Sequence, residues 1–266
     1  MKDLFPGDSY STPDGVPRAL SEYLMFGSRW GVYSHFIATM LRSRALALRG
    51  LYGDEAWALS SLEVIQNLER CSAKFRIEGM DKVRQAEGPL VFVANHMSTL
   101  ETLVLPGLVQ PLKQVTFVVK QKLMTGFFWG PIMRSRDPIS VTRQDPRADL
   151  ETVLREGQAR LALGISVIIF PQGTRTEAWK KESFNSLGVK LASKAGARIM
   201  PIALKTDYWG SSGGLFRGFG PVRRDREIRI EFGDAMKVEG RGKAEQELCL
   251  DFIESRLKAW GAKMAD

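Results

Sequence analysis

The stretch Leu90-Val91-Phe92-Val93-Ala94-Asn95-His96-Met97-Ser98-Thr99-Leu100-Glu101 changes character halfway along. Its first five residues form a short apolar run with valine at alternate positions, the pattern of a strand buried on both faces. Ser98-Thr99-Leu100-Glu101 then fits a capping box, with Ser98 as N-cap and Glu101 at N3, so a helix is expected over 99–109. A buried strand feeding a helix through a short turn is the repeating unit of an α/β sheet.

The same alternation continues on both sides. Further strands are predicted over 74–78, 115–120, 138–142, 165–170, 199–204 and 227–232. Helices are predicted over 55–68, 147–163, 183–195 and 243–262. The expected fold is therefore α/β, with a largely parallel central sheet flanked by helices and functional residues in loops at strand ends.

Residues 1–53 differ from the rest. After a Pro/Gly/Ser-rich lead, 19–49 reads as helical, with Leu24, Phe26, Trp30, Tyr33, Phe36, Ile37, Met40 and Leu41 recurring at mixed three- and four-residue spacings. Arg29, Arg42, Arg44 and Arg49 add positive charge. Aromatic and basic residues together suit a helix lying in a membrane interface, and the same pattern suits an amphipathic helix docked on its own domain. The expected division is an N-terminal amphipathic helical segment at 1–53 and a single catalytic-sized domain at 54–266.

Composition narrows the partners. The 266 residues carry a formal net charge of +8, which favours anionic partners: phosphate-bearing small molecules, nucleic acid or an anionic membrane. Nucleic acid is not expected, because no reading helix or aromatic-ladder motif is present. Cys71 and Cys249 are the two cysteines, far apart and outside any CxxC or Cys/His metal spacing, so free thiols and no metal site are expected. The polar start lacks the apolar run of a secretory signal, and no run of eighteen apolar residues occurs. The expectation is a cytoplasmic chain.

Only His35 and His96 can supply an imidazole. His35 has no neighbouring carboxylate in sequence and reads as an interfacial or surface residue. His96 has Glu101 five residues on. Five residues along one helix place two side chains roughly 140° apart, so the pair meets only if His96 precedes the helix and Glu101 lies in its first turn. A capping box alone also accounts for Glu101. A carboxylate has two oxygens, so both tasks are open to it.

A second strand-like run, Ile165 to Phe170, ends in Pro171-Gln172-Gly173-Thr174-Arg175-Thr176. Glycine permits close backbone approach, threonine offers a hydroxyl, and arginine offers a planar fork of donors matched to phosphate.

Together these segments resemble the glycerophospholipid acyltransferases. That family carries Asn-His-x-x-x-x-Asp, then a Lys-x-Glu-Leu element, an apolar stretch closing in Asp-Arg, Phe-Pro-Glu-Gly-Thr-Arg-Ser, and an apolar-Pro-apolar strand. In the same order this chain has Asn95-His96-x-x-x-x-Glu101, Lys120-Gln121-Lys122-Leu123, Gly130 through Val141-Thr142-Arg143, Phe170-Pro171-Gln172-Gly173-Thr174-Arg175-Thr176, and Ile199-Met200-Pro201-Ile202-Ala203-Leu204. The departures are Glu101 for aspartate, Gln172 and Lys122 for glutamate, and Thr142 for aspartate.

The resemblance implies an O-acyltransferase moving an acyl group from acyl-CoA or acyl carrier protein to the hydroxyl of a lysophospholipid, most simply 1-acylglycerol-3-phosphate. It implies His96 as general base, oriented by Glu101, with no added cofactor. Imidazole, with an ordinary pKa of ~6.5, is mostly neutral at pH 7 and suited to that task. Arg175, Thr174, Gly173 and Gln172 are expected at the acceptor's phosphate, with Lys120 and Arg143 adding charge. The run from Leu123 to Met133 suits an acyl groove, a lipid-dipping segment or a core helix, and the aromatic-basic loop 208–226 suits a membrane edge. The chain is then expected on the cytoplasmic side of a membrane, peripheral or monotopic. A catalytically silent lipid-binding protein and an acyl thioesterase are the alternatives on the same residues.

Overall fold

The structure, a computed structural model, describes residues 3–210 and 219–265. In chain order it contains β1 (Tyr10–Ser11), α1 (Leu20–Leu24), α2 (Arg29–Leu48), α3 (Asp54–Arg70), β2 (Phe75–Glu78), α4 (Met80–Gln85) and β3 (Leu90–Ala94). Then follow α5 (Leu100–Val109), β4 (Val115–Lys120), α6 (Lys122–Thr125), α7 (Gly130–Arg134), β5 (Ile139–Val141), α8 (Pro146–Ala162) and β6 (Ser166–Ile169). The chain closes with α9 (Leu187–Ala195), β7 (Arg198–Lys205), β8 (Ile228–Phe232), β9 (Met236–Lys237) and α10 (Lys243–Ala259).

Among the described residues the strands form one sheet in the order β1-β2-β8-β7-β3-β6-β4-β5, with β9 against β7. The centre, β7-β3-β6-β4-β5, is parallel, as is the β2–β8 pair. The pairs β1–β2, β7–β8 and β7–β9 are antiparallel. The sheet is thus mixed, with the largely parallel centre that the sequence suggested and antiparallel pairing at β1, β8 and β9. Helical crossovers return the chain parallel. The described part of the β7–β8 connection contains no helix, and that strand returns antiparallel.

Strand β3 shows why the central run is apolar throughout. Leu90, Phe92 and Ala94 enter the cluster that contains Ile65 and Leu68 of α3 and Leu100 and Val104 of α5. Val91 and Val93 enter the other, with Val189 and Leu191 of α9 and Ile253 of α10. Both faces are covered, so alternation carries no polar residue. Gly188 allows α9 to lie close against the sheet: a Cβ there would fall 2.2 Å from Val93 Cγ1.

The N-terminal stretch predicted as helical forms two helices. Phe26 (φ 49°) and Gly27 (φ 64°) adopt left-handed backbone between α1 and α2, which ends the first helix. Val32, Tyr33, Phe36 and Met40 of α2 are buried in the same cluster as α3 and α5. Leu20, Tyr23, Leu24, Phe26 and Trp30 remain exposed, Phe26 at 96%. The expected membrane-edge loop at 208–226 falls partly outside the described residues. Its first residues, Tyr208 and Trp209, are buried, with Trp209 edge-on to Tyr33 and Phe36, so that end belongs to the core. No helix among the described residues is long and apolar enough to cross a membrane.

Candidate active site

The C-terminal ends of β3 and β6 lie side by side, because Val93 pairs in register with Ile169. Asn95 fixes the first loop. Its side-chain amide donates to Leu204 O (2.7 Å) and accepts from Leu204 N–H (2.8 Å), continuing the β3–β7 ladder where the main chain of β3 leaves it. His96 follows at once, outside the helix, and α5 begins at Leu100. This meets the geometric condition for pairing with Glu101.

Glu101 is fully buried and performs both tasks the sequence left open. One oxygen bonds His96 Nδ1. The other accepts the backbone N–H groups of Met97 (2.7 Å) and Ser98 (2.8 Å) and the hydroxyl of Thr206. The helix cap differs in one respect: the N-cap is Thr99, and Ser98 instead accepts Leu100 N–H (3.1 Å) and donates to Thr206 Oγ1 (2.9 Å). Those bonds absorb the extra methylene of glutamate by fixing its carboxylate from several directions. With Nδ1 engaged, Nε2 is the ring nitrogen with no protein partner among the described residues.

His96 opens onto a cavity of about 1110 Å³. One side of its mouth is cationic: Gly173, Thr174 and Arg175 line it together with Lys120, Arg143 and Lys190. Arg175 donates to Thr99 Oγ1 and has no carboxylate partner among the described residues. Gly173 is left-handed (φ 69°), and a Cβ placed there would lie 3.9 Å from the Arg143 guanidinium. Partial burial draws the Arg143 pKa down while Asp149 opposes it; the group stays charged in any case. Asp149 is the carboxylate in this wall, and it accepts the N–H groups of Thr142 (2.8 Å) and Arg143 (2.7 Å).

The rest of the cavity is mostly apolar and follows a line of rings. His96 stacks on Phe170 at 4.2 Å, Phe170 on Phe117 at 6.2 Å, and Phe117 meets Trp57 edge-on at 5.9 Å. Arg136 lies over Trp57 at 4.6 Å, pinned by Asp54, and closes the far end beside Tyr52 and Ser60. Leu123, Trp129, Ile132 and Met133 also line the chamber, so the apolar run in that region is partly cavity wall, while Phe127 is 84% exposed.

The structure therefore brings His96, Glu101, Lys120, Arg143, Gly173, Thr174 and Arg175 to one site. Gln172 also borders it, but its amide is turned inward: Oε1 accepts His96 N–H (2.7 Å) and Nε2 donates to Thr176 Oγ1 (3.0 Å). Thr206 and Lys190 escaped the sequence reading, since no spacing rule links a strand end 105 residues away to Glu101. His35 is elsewhere, bonded to Ser21 Oγ (2.7 Å), with burial and nearby Arg70 holding its pKa below the ordinary imidazole value. Cys71 and Cys249 are buried with thiols pushed up to about 12, so neither supplies a thiolate at neutral pH. No cluster of His, Cys, Asp and Glu suited to a metal occurs among the described residues.

An imidazole bonded to a buried carboxylate at the edge of a mostly apolar cavity is an arrangement that can take a proton from a substrate hydroxyl. Residues 74–205 match the family model described as Acyltransferase. A 1-acyl-sn-glycerol-3-phosphate acyltransferase of Pseudomonas aeruginosa is 30% identical over 253 residues, covering 94% of this chain and 90% of that protein. A chloroplastic enzyme of the same name from Arabidopsis thaliana is 31% identical over 185 residues, 66% of this chain and 50% of the relative. The crystal structure of the 1-acyl-sn-glycerophosphate acyltransferase PlsC from Thermotoga maritima shares the fold, with a TM-score of 0.57 at 15% identity over 92% of this chain and 94% of that one. The chain belongs to the glycerophospholipid acyltransferase family and is an O-acyltransferase.

Proposed function

We propose that this chain transfers a fatty acyl group from acyl-CoA or acyl carrier protein to the free hydroxyl of 1-acylglycerol-3-phosphate, giving phosphatidic acid. The observation that carries the reading is the His96–Glu101 pair standing between a cationic wall and an apolar chamber. The names of the relatives from Pseudomonas aeruginosa and Arabidopsis thaliana support the acceptor.

An alcohol attacks a thioester slowly until a positioned base takes its proton. His96 Nε2 accepts that proton as the acceptor oxygen adds to the thioester carbonyl. Glu101 holds the ring orientation through Nδ1–H and stabilises the imidazolium, as the acid of a hydrolase triad does. Collapse of the tetrahedral intermediate expels the thiolate, which takes the proton back from His96. The acceptor oxygen is the nucleophile, so no acyl-enzyme forms and no cofactor is required. Arg175, with Gly173 and Thr174, binds the acceptor's phosphate; Arg143 and Lys120 add charge to the same wall. The ring-lined chamber takes an acyl chain.

A diacyl product partitions into lipid, and the chain works as a peripheral protein on the cytoplasmic side of a membrane. Exposed Leu20, Tyr23, Leu24, Phe26, Trp30 and Phe127 support contact with the interface, with Arg29 and Arg44 beside Trp30 and Phe127. Full-length protein incubated with a panel of lysolipids and both donor types, with products read by mass, tests the proposal. A diacyl product from lysophosphatidic acid is expected. Free fatty acid as the sole product would make the chain a thioesterase, and no turnover with any acceptor would leave a lipid-binding protein.

A further inference from the structure

The loop after β6 grips both main-chain polar groups of His96. Gln172 Oε1 accepts His96 N–H at 2.7 Å, and Thr176 N–H donates to His96 O at 2.9 Å. Gln172 Nε2 completes the link, donating to Thr176 Oγ1 (3.0 Å) and reaching Ser183 Oγ at 3.4 Å. An amide matches these surroundings. His96 N–H can only donate, so an oxygen must face it. The Ser183 hydroxyl gives its own proton to Lys180 O (2.7 Å), so it turns a lone pair towards position 172. A carboxylate would satisfy the first partner and meet that lone pair with another.

From this geometry we infer that Gln172 is a positioning residue that fixes the main chain of His96, with a neutral amide where a carboxylate would set a second negative charge beside that histidine. The inference rests on His96 being the base. The chemistry follows from what faces the histidine. Glu101 of α5 is the carboxylate bonded to its ring, Phe170 of the β6 end covers one face, and Arg175 is held nearby on Thr99. Lys120, Arg143, Lys190 and Asp149 line the same cavity. A glutamate at 172 would place a second carboxylate against the histidine's own backbone N–H. That charge favours the imidazolium and keeps the base protonated to higher pH.

The test uses full-length protein with lysophosphatidic acid and acyl-CoA, following kcat/KM and kcat against pH. Gln172→Glu is expected to keep the alkaline plateau and the acceptor KM while moving the acid limb up by about half to one pH unit. Gln172→Ala is expected to lower kcat about tenfold or more with the acceptor KM unchanged, the mark of lost alignment rather than lost binding. An acid limb that stays in place in Gln172→Glu overturns the inference. So does an acceptor KM raised in both variants, which would put the amide on the substrate. If Gln172→Ala does not fold, the Gln172→Glu profile still decides. An active His96→Ala protein would instead remove the base itself, a failure of the proposed function that these profiles do not mimic.

Discussion

Replacing Glu101 by glutamine separates orientation of the histidine from capping of the helix. Glutamine is isosteric, and its oxygen can still accept Met97 N–H, Ser98 N–H and the Thr206 hydroxyl. Its NH₂ must then face His96 Nδ1, where the carboxylate oxygen stood. Two donors cannot share that bond. Nδ1 becomes the acceptor, the ring proton moves to Nε2, and the nitrogen aimed at the cavity can no longer accept one. The imidazolium also loses its counter-charge. Loss of an orienting acid with geometry intact lowers kcat by about 10³–10⁴-fold, about 4–5.5 kcal/mol of transition-state stabilisation. Three of the four bonds persist unchanged and the fourth reverses direction, so the melting temperature should fall by only a few degrees, about 1 kcal/mol. The assay is acyl transfer to lysophosphatidic acid read by mass, alongside thermal unfolding. A variant that keeps kcat within about tenfold of the wild type but unfolds at much lower temperature would refute the reasoning and leave Glu101 as a helix cap.

Arg175→Ala should reduce kcat/KM for the phosphorylated acceptor by about 10–100-fold, the worth of a charge-assisted contact, while sparing a lysolipid without phosphate; equal losses on both would remove Arg175 from the phosphate. Arg136→Ala should open the far end of the chamber and shift donor preference to longer chains, about fourfold for each added methylene that finds room. Competition among acyl-CoA donors of graded length, read by mass, checks it, and an unchanged preference would place the chain terminus elsewhere. Phe26→Ser with Phe127→Ser should weaken sedimentation with anionic vesicles at least about tenfold without altering the melting temperature, since both rings are exposed; undiminished binding would move the membrane contact away from the turns that follow α1 and α6.

Much of the architecture was written in local pattern. The apolar runs ending at Ala94 and near Ile169 became central strands, and the His96–Glu101 spacing anticipated a helix beginning between them, because strand burial and helix initiation are properties of neighbouring residues. Long-range facts were not legible. The antiparallel return of β8 depends on what the β7–β8 connection does in space. Thr206 meets Glu101 only because β7 runs beside β3, and Gln172 faces His96 because β6 lies on its other side. The break at Phe26-Gly27 was hidden because apolar residues recur at helical spacings across it. The buried Tyr208 and Trp209 read as loop residues because their neighbours are polar and small, yet both belong to the core, with the Trp209 ring packed against Tyr33 and Phe36 of α2.

The proposed function stands or falls with the imidazole of His96 driving acyl transfer from the mouth of the chamber. Single-turnover reactions of wild type and His96→Ala, with saturating acyl donor and lysophosphatidic acid and phosphatidic acid read by mass, test it most directly. Product is expected from the wild type, with a rate lower by at least about 10²-fold in a variant that keeps its circular dichroism and melting temperature. A folded His96→Ala protein that forms phosphatidic acid at the wild-type rate would contradict it.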